Sequence, residues 1–327
     1  FKLEQSNINE LENRVSTLEN LIGINKKIPL TELDFTVLEN DFEFYRLATS
    51  FDGNLYGLGY EGGNTKLFKT ADLGKTFEWG IRATAIGYGG AVSINVFKDG
   101  TIAIATKDGY LLHLESFDAT EITVVNNTGG GGFEGLSISA YEDDNKKIVL
   151  AGEYSHTTHM KKIWISEDGG RSYRVLKEGD TLNSGNNHWH CVVYDPYSDG
   201  IWASQGDGSN TRTYYTPDYG VTWEEPILGH QPTLIKPLPD RVIFGEDSST
   251  KPSGFFEWIR SEERPIVFKE SVIFSTLGAH NYYPTNTRWY SANPDEYYMN
   301  FPPRGAETTN NYLYATGDGG NSWHLVY

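Results

Sequence analysis

The sequence predicts an all-β chain, a six-bladed β-propeller, set behind a short N-terminal α-helical coiled coil. Three observations carry that expectation. The composition, with 35 Gly, 21 Tyr, 16 Phe and 8 Trp against 2 Met in 327 residues, favours strands and tight turns over helices. A turn motif, Thr/Ser-x-Asp-x-Gly-x-Thr/Ser-aromatic, recurs at intervals close to one or two times 50 residues. The first 25 residues alone carry a heptad pattern. The formal net charge of -17 would repel a phosphate backbone, so nucleic acid is not an expected partner. A single cysteine, Cys191, allows no internal disulfide, and stability must come from packing or association. No apolar run approaches the roughly 18 residues of a membrane span, so no membrane insertion is expected. The opening Phe1-Lys2-Leu3-Glu4-Gln5 is unlike a secretion signal, and the lack of an initiator methionine suggests a fragment of something longer.

Residues 1–25 read as a coiled-coil stem. Ile8, Val15 and Ile22 fall at heptad position a, with Leu11 and Leu18 at d, while Glu4 and Asn25 interrupt d at the two ends. So short a helix with one apolar stripe needs partners, either helices of other chains or the body of its own. β-Branched a with Leu d leans toward dimers. Yet Arg14-Val15-Ser16-Thr17-Leu18-Glu19 resembles the trimerisation motif of short coiled coils, in which Arg at g and Glu at e form an ion pair over the seam. A homotrimer held by Ile8, Leu11, Arg14, Val15, Leu18, Glu19 and Ile22 is the expectation. Residues 26–41 then read as a linker and residues 42–327 as the propeller head.

Four good copies of the turn motif stand in the head, centred on Asp72, Asp168, Asp218 and Asp318. The intervals are 96, 50 and 100 residues, so a decayed copy is expected midway in each long one: Ser116-x-Asp118 and Ser261-x-Glu263 occupy those places. A second marker agrees, since turn residues recur upstream at Asp52-Gly53, Asp99-Gly100, Asp144-Asn145, Asp199-Gly200, Asp240 and Asp295. Each unit reads as strand, tight turn, strand, loop, strand, motif turn, strand, repeated six times. The Asp accepts hydrogen bonds from N–H groups just after it, Gly supplies a positive φ and the aromatic residue starts the next strand.

These residues resemble the Asp-box, or BNR, repeats of sialidase-like propellers, over roughly residues 42 to 327. The resemblance implies that Asp72, Asp168, Asp218 and Asp318 are structural and that ligands meet the opposite face. That face should be built from second-to-third-strand loops and inter-blade connections, where six of the eight histidines fall: His156, His159, His188, His190, His230 and His280. Three groups there are candidates for ligand binding. Arg46, in Phe44-Tyr45-Arg46-Leu47-Ala48, resembles the Tyr/Phe-Arg-Ile-Pro motif whose Arg holds a sugar carboxylate in sialidases, with Ala48 in place of Pro. The further arginines of such a site are not evident, although Arg288 and Arg304 are available. His188-Trp189-His190, followed by Asp207, would bring two imidazoles to one side of a strand. Three readings stay open for that pair: polar rings around a wet channel, contact with a ligand, or a metal site. His280-Asn281-Tyr282-Tyr283, with Arg288, offers aromatic faces and donors suited to sugars. No cofactor is expected.

A coil that gathers chains in front of such a propeller resembles the receptor-binding proteins and fibres of bacteriophage tails. The resemblance implies a virion component that faces the host and binds a bacterial surface polysaccharide or wall teichoic acid, joined to other tail or baseplate proteins through whatever precedes residue 1. Trimerisation would multiply weak sugar affinity. The alternative is a tail-associated glycoside hydrolase, for which Glu61, Asp207 and Glu246, with Glu153 and Asp247, are the candidate carboxyl groups. A structural or adhesive fibre component is the third reading.

Overall fold

The computed structural model of the protein describes residues 43–61, 64–72, 75–82, 90–129, 131–154, 161–179, 188–207, 211–228, 231–246, 254–261, 269–273, 297–301, 312–316 and 324–325. The stem, with Ile8, Leu11, Arg14, Val15, Leu18, Glu19 and Ile22, lies outside them, as do His280, Tyr282, Tyr283, Arg288 and Asp318. All the described regular structure is β.

The chain forms strands β1 (Glu43–Leu47), β2 (Thr49–Ser50), β3 (Leu55–Glu61), β4 (Asn64–Thr70) and β5 (Glu78–Arg82). There follow β6 (Ala91–Val96), β7 (Ile102–Thr106), β8 (Tyr110–Leu114) and β9 (Thr123–Asn127), then β10 (Phe133–Glu142), β11 (Lys147–Glu153), β12 (Lys162–Ser166) and β13 (Arg174–Glu178). Next come β14 (Trp189–Asp195), β15 (Gly200–Gln205), β16 (Arg212–Thr216) and β17 (Glu224–Leu228), then β18 (Pro232–Pro237), β19 (Arg241–Glu246), β20 (Gly254–Ile259) and β21 (Lys269–Ile273). The last are β22 (Tyr297–Phe301), β23 (Tyr312–Thr316) and β24 (His324–Leu325). Sheets of four antiparallel strands follow one another in chain order: β1-β3-β4-β5, β6 to β9, β10 to β13, β14 to β17 and β18 to β21. β2 adds a parallel edge to β6, and β22, β23 and β24 form a further sheet. Two compact units divide the chain: Val37–Asn286 with Phe301–Asn310, which holds the first five sheets, and Phe1–Thr36 with Thr287–Asn300 and Asn311–Tyr327.

In the larger unit the first strands are neighbours, since β10 lies beside β6 and β14, and β14 beside β18. The sheets of β10 and β14 are therefore covered on both faces toward their inner edges. Along β14 every residue is buried, whereas the fourth strands β9 and β13 are largely exposed. The side chains alternate between two cores: Val192 and Tyr194 pack with Leu150, Ile163 and Ile165, while Cys191 and Val193 pack with Ile235, Phe244 and Trp258. Four-stranded sheets in sequence order, packed face to face around their first strands, make this a propeller fold.

At one end of the sheets lie the hairpins and the motif turns. In three of them the same bonds recur: Asp72, Asp168 and Asp218 accept from the backbone N–H four residues on (Thr76, Ser172 and Thr222) at 2.9, 2.9 and 2.8 Å. The hydroxyls of those three residues donate to the second carboxylate oxygen at 2.7, 2.6 and 2.6 Å. Gly170 and Gly220 stand at φ +93°, a conformation that admits few other residues. These bonds hold the Asp72 carboxyl down at about 2, the Thr76 N–H first among the causes. The turns also tie sheets together. Lys146, from the β10–β11 hairpin, donates to Tyr194 at 3.1 Å, to Tyr219 at 2.9 Å and to Asp199. Tyr219, at φ +54° inside the Asp218 turn, is held there by that lysine and by its own 2.6 Å bond to Asp199. Asp195, fully buried, accepts from Arg260 of the next sheet at 2.8 Å and from Trp202 Nε1 at 3.2 Å.

Candidate functional site

The opposite ends of the same strands carry a different kind of chemistry. His188 stands just ahead of β14 and Asp207 just after β15, so both lie away from the β14–β15 hairpin and the Asp218 turn. The pairing Trp189↔Gln205 followed by Cys191↔Ser204 leaves His190 as the extra residue of a β-bulge. Its effect shows in the packing. Trp189 joins the core of Val192 and Tyr194, whereas unbroken alternation would have placed it with Cys191 and Val193. With the strand's phase flipped at His190, the His188 and His190 rings meet edge to face, centroids 4.6 Å apart and planes at 69°.

Both imidazoles converge on one carboxylate oxygen. His190 Nε2 lies 3.0 Å and His188 Nε2 3.5 Å from Asp207 Oδ1. Asp207 is brought back over the strand by Gly206, at φ +83°, whose N–H donates to the His188 carbonyl at 3.0 Å. Gln231, at the entry to β18 in the next sheet, donates from Nε2 to the same Oδ1 at 3.0 Å. From the preceding sheet Tyr154 lays its ring against His188, centroids 4.2 Å apart, and meets His190 edge-on at 5.8 Å. The histidines are 1% and 3% exposed on their side chains and Asp207 33%, so the carboxylate is the route from the cluster to solvent. Burial by itself raises the Asp207 carboxyl, but the hydrogen bonds and charges of His188 and His190 prevail and hold it well below the usual carboxylate range.

Glu153, the neighbouring candidate at the end of β11, is committed to its own sheet. Its two oxygens accept from Trp164 Nε1 at 2.8 Å and from the Lys162 N–H at 3.1 Å. Burial pushes its carboxyl up, and the wholly buried Lys161 beside it is pushed down by the same cause. Such a carboxylate positions the strand ends more readily than it attacks a bond. Glu61 and Glu246 end β3 and β19, as Glu153 ends β11, so all three occupy second-strand termini at this end of their sheets. The side chains of Glu61, Glu246 and Arg46 lie outside the described residues; the Arg46 backbone pairs with Leu58 across a bulge in β1. His156, His159, His230 and Asp247 lie outside the described residues altogether.

The sequence pattern brings His188, His190 and Asp207 into view, and the structure unites them. It adds Tyr154 and Gln231, which sequence reasoning places within loop segments but does not single out. Nothing in a single strand's pattern marks a residue whose role depends on the adjoining sheet.

No protein-family model matches the chain, and no curated protein matches it in sequence. Solved structures do match it in fold. A structure of YCF48 bound to a D1 peptide matches with TM-score 0.53 at 12% identity, over 83% of this chain and 78% of that one. One of two prolyl endopeptidases matches with TM-score 0.55 at 12% identity, over 87% of this chain but 49% of the other, so this chain spans about half its length. An oligogalacturonate lyase in complex with manganese matches with TM-score 0.50 at 10% identity, over 86% of this chain and 83% of that one. These are β-propeller proteins, and at such identities the likeness speaks for the fold alone.

Proposed function

We propose that the chain is a carbohydrate-recognising propeller head, and that it serves as a receptor-binding protein of a bacteriophage tail. The observation that carries the recognition reading is the cluster of Tyr154, His188, His190, Asp207 and Gln231, gathered from three sheets at the strand ends opposite the Asp72, Asp168 and Asp218 turns. It joins an aromatic ring, imidazoles and a carboxylate with a path to water, the mixture by which proteins hold hydroxyl-rich ligands. In this reading the repeats are Asp-boxes, six in number, and the blades are six, as the spacing near 50 residues suggests. The heptad of residues 1–25 gathers three heads, so that weak contacts add in avidity. The ligand is a bacterial surface glycan, a polysaccharide or wall teichoic acid, and the acidic chain favours neutral sugars over polyanions. Arg46, His280, Tyr282, Tyr283 and Arg288 extend the binding face in this proposal.

The test is to incubate the full chain with cell walls of bacterial hosts, then to measure protein retained on the wall and sugar released into solution. Retention without release is expected. Progressive release would replace the proposal with a glycoside hydrolase, and neither retention nor release on any wall would leave a structural fibre component.

A further inference from the structure

The geometry points to a divalent metal site at His188, His190 and Asp207, completed by Gln231, with Zn(II) as the cation best suited to its donors. The inference concerns the same cluster that carries the glycan reading, but it rests on donor geometry alone and holds whether or not the chain binds a glycan. Donor atoms about 2.0–2.2 Å from a tetrahedral ion sit roughly 3.3 to 3.6 Å from one another. Here Asp207 Oδ1 is 3.0 Å from His190 Nε2 and 3.5 Å from His188 Nε2, and the three donors all fall within 4.8 Å of one another. Gln231 Nε2 lies 3.0 Å from that Oδ1 and 3.3 Å from His190 Nε2. An amide nitrogen and oxygen are nearly isosteric, so a half-turn of the Gln231 amide places Oε1 at the same point as a fourth donor.

Two imidazoles, a carboxylate and an amide oxygen form a borderline set that fits Zn(II) before Ca(II) or Mg(II), which prefer all-oxygen shells. The surroundings hold the ligands in place. The His190 bulge and the Gly206 turn fix the strand and the loop that carry the donors, and the Gly206 N–H ties that loop to His188. Tyr154 packs over the His188 ring and fixes its plane. The buried histidines close the inner side, while Asp207 leaves an approach from solvent. The cation would take up the place between Asp207 and the two rings that the His190 hydrogen bond and the longer His188 contact now span.

The experiment uses the full chain prepared without a histidine tag and stripped with EDTA. It is titrated with ZnCl2 by isothermal calorimetry, then gel-filtered and subjected to elemental analysis, and in parallel loaded with CoCl2 for visible spectroscopy. One Zn per chain is expected, with a raised Tm and with Co(II) absorption of the intensity that low-coordinate N/O sites give. Asp207→Asn and His190→Ala should each weaken Zn binding by at least about tenfold. Asp207→Asn keeps the side-chain shape, so its circular dichroism and melting show whether a loss belongs to the site or to the fold. No stoichiometric Zn in the wild-type chain, or Zn retained at full affinity by both folded variants, would overturn the assignment; the second result would place the ion on other histidines.

Discussion

The two ends of the sheets in the larger unit use the same residue types in opposite ways. At the hairpin end, Asp72, Asp168 and Asp218 find their donors within four residues, inside a single turn. Where that end does reach across sheets, it does so to lock them, as Arg260 with buried Asp195 and Lys146 with Asp199 and Tyr219. At the other end, the donors to Asp207 among the described residues come from afar: His190, 17 residues earlier, and Gln231, 24 residues later. A carboxylate satisfied by its own turn stabilises whatever binds elsewhere. One satisfied by side chains of several strands is assembled only by the complete fold, and a ligand or cation can take over its partners.

That contrast can be broken by substitution. Asp195→Ala should have the largest effect, because it strands the Arg260 guanidinium in a site only 15% exposed. We expect a loss of about 3–5 kcal/mol in urea unfolding. Asp168→Ala removes three bonds at a partly exposed turn and should cost about 1–2 kcal/mol, read as a lower Tm with unchanged ligand binding. Acid sharpens the comparison further. Asp72, with its folded pKa at about 2 against an ordinary 3.8, and Asp207, also lowered, both contribute stability that is complete above pH about 4 and is lost as pH falls toward the folded values. Stability should therefore decline from pH 4 to 2 in denaturant titrations, and Asp207→Asn should decline less steeply than the wild type. Tyr197→Ala should have the smallest effect, within about 1 kcal/mol, since this ring at the hairpin end is 51% exposed and loses a contact with the Arg260 guanidinium 5.4 Å from its centroid.

The same contrast explains what can be read from the sequence. The β class and the four-stranded sheets follow from composition and from turn chemistry whose acceptor and donors lie within a few residues, so that a window of eight residues contains the whole interaction. His188, His190 and Asp207 announce themselves as chemistry-bearing types near strand ends. The bulge at His190 is not legible there, because it depends on the pairing of β14 with β15, and the flip it imposes on Trp189 follows from that pairing. Nor are Tyr154 and Gln231, whose part in the cluster is decided by how three sheets stand side by side. Glu153 reads as a candidate acid until the structure supplies Trp164 and the Lys162 N–H as its partners.

In the proposed function, recognition belongs to the end of the sheets that carries the cluster. It is tested most directly by a matched pair of aromatic deletions, Tyr154→Ala beside His188 and Tyr197→Ala at the hairpin end, on an array of bacterial surface polysaccharides and teichoic acids. Among variants shown to be folded by melting, Tyr154→Ala should lose at least about tenfold in binding, the weight of one stacked ring, while Tyr197→Ala should bind as the wild type does. Binding lost in Tyr197→Ala and kept in Tyr154→Ala would contradict the proposal.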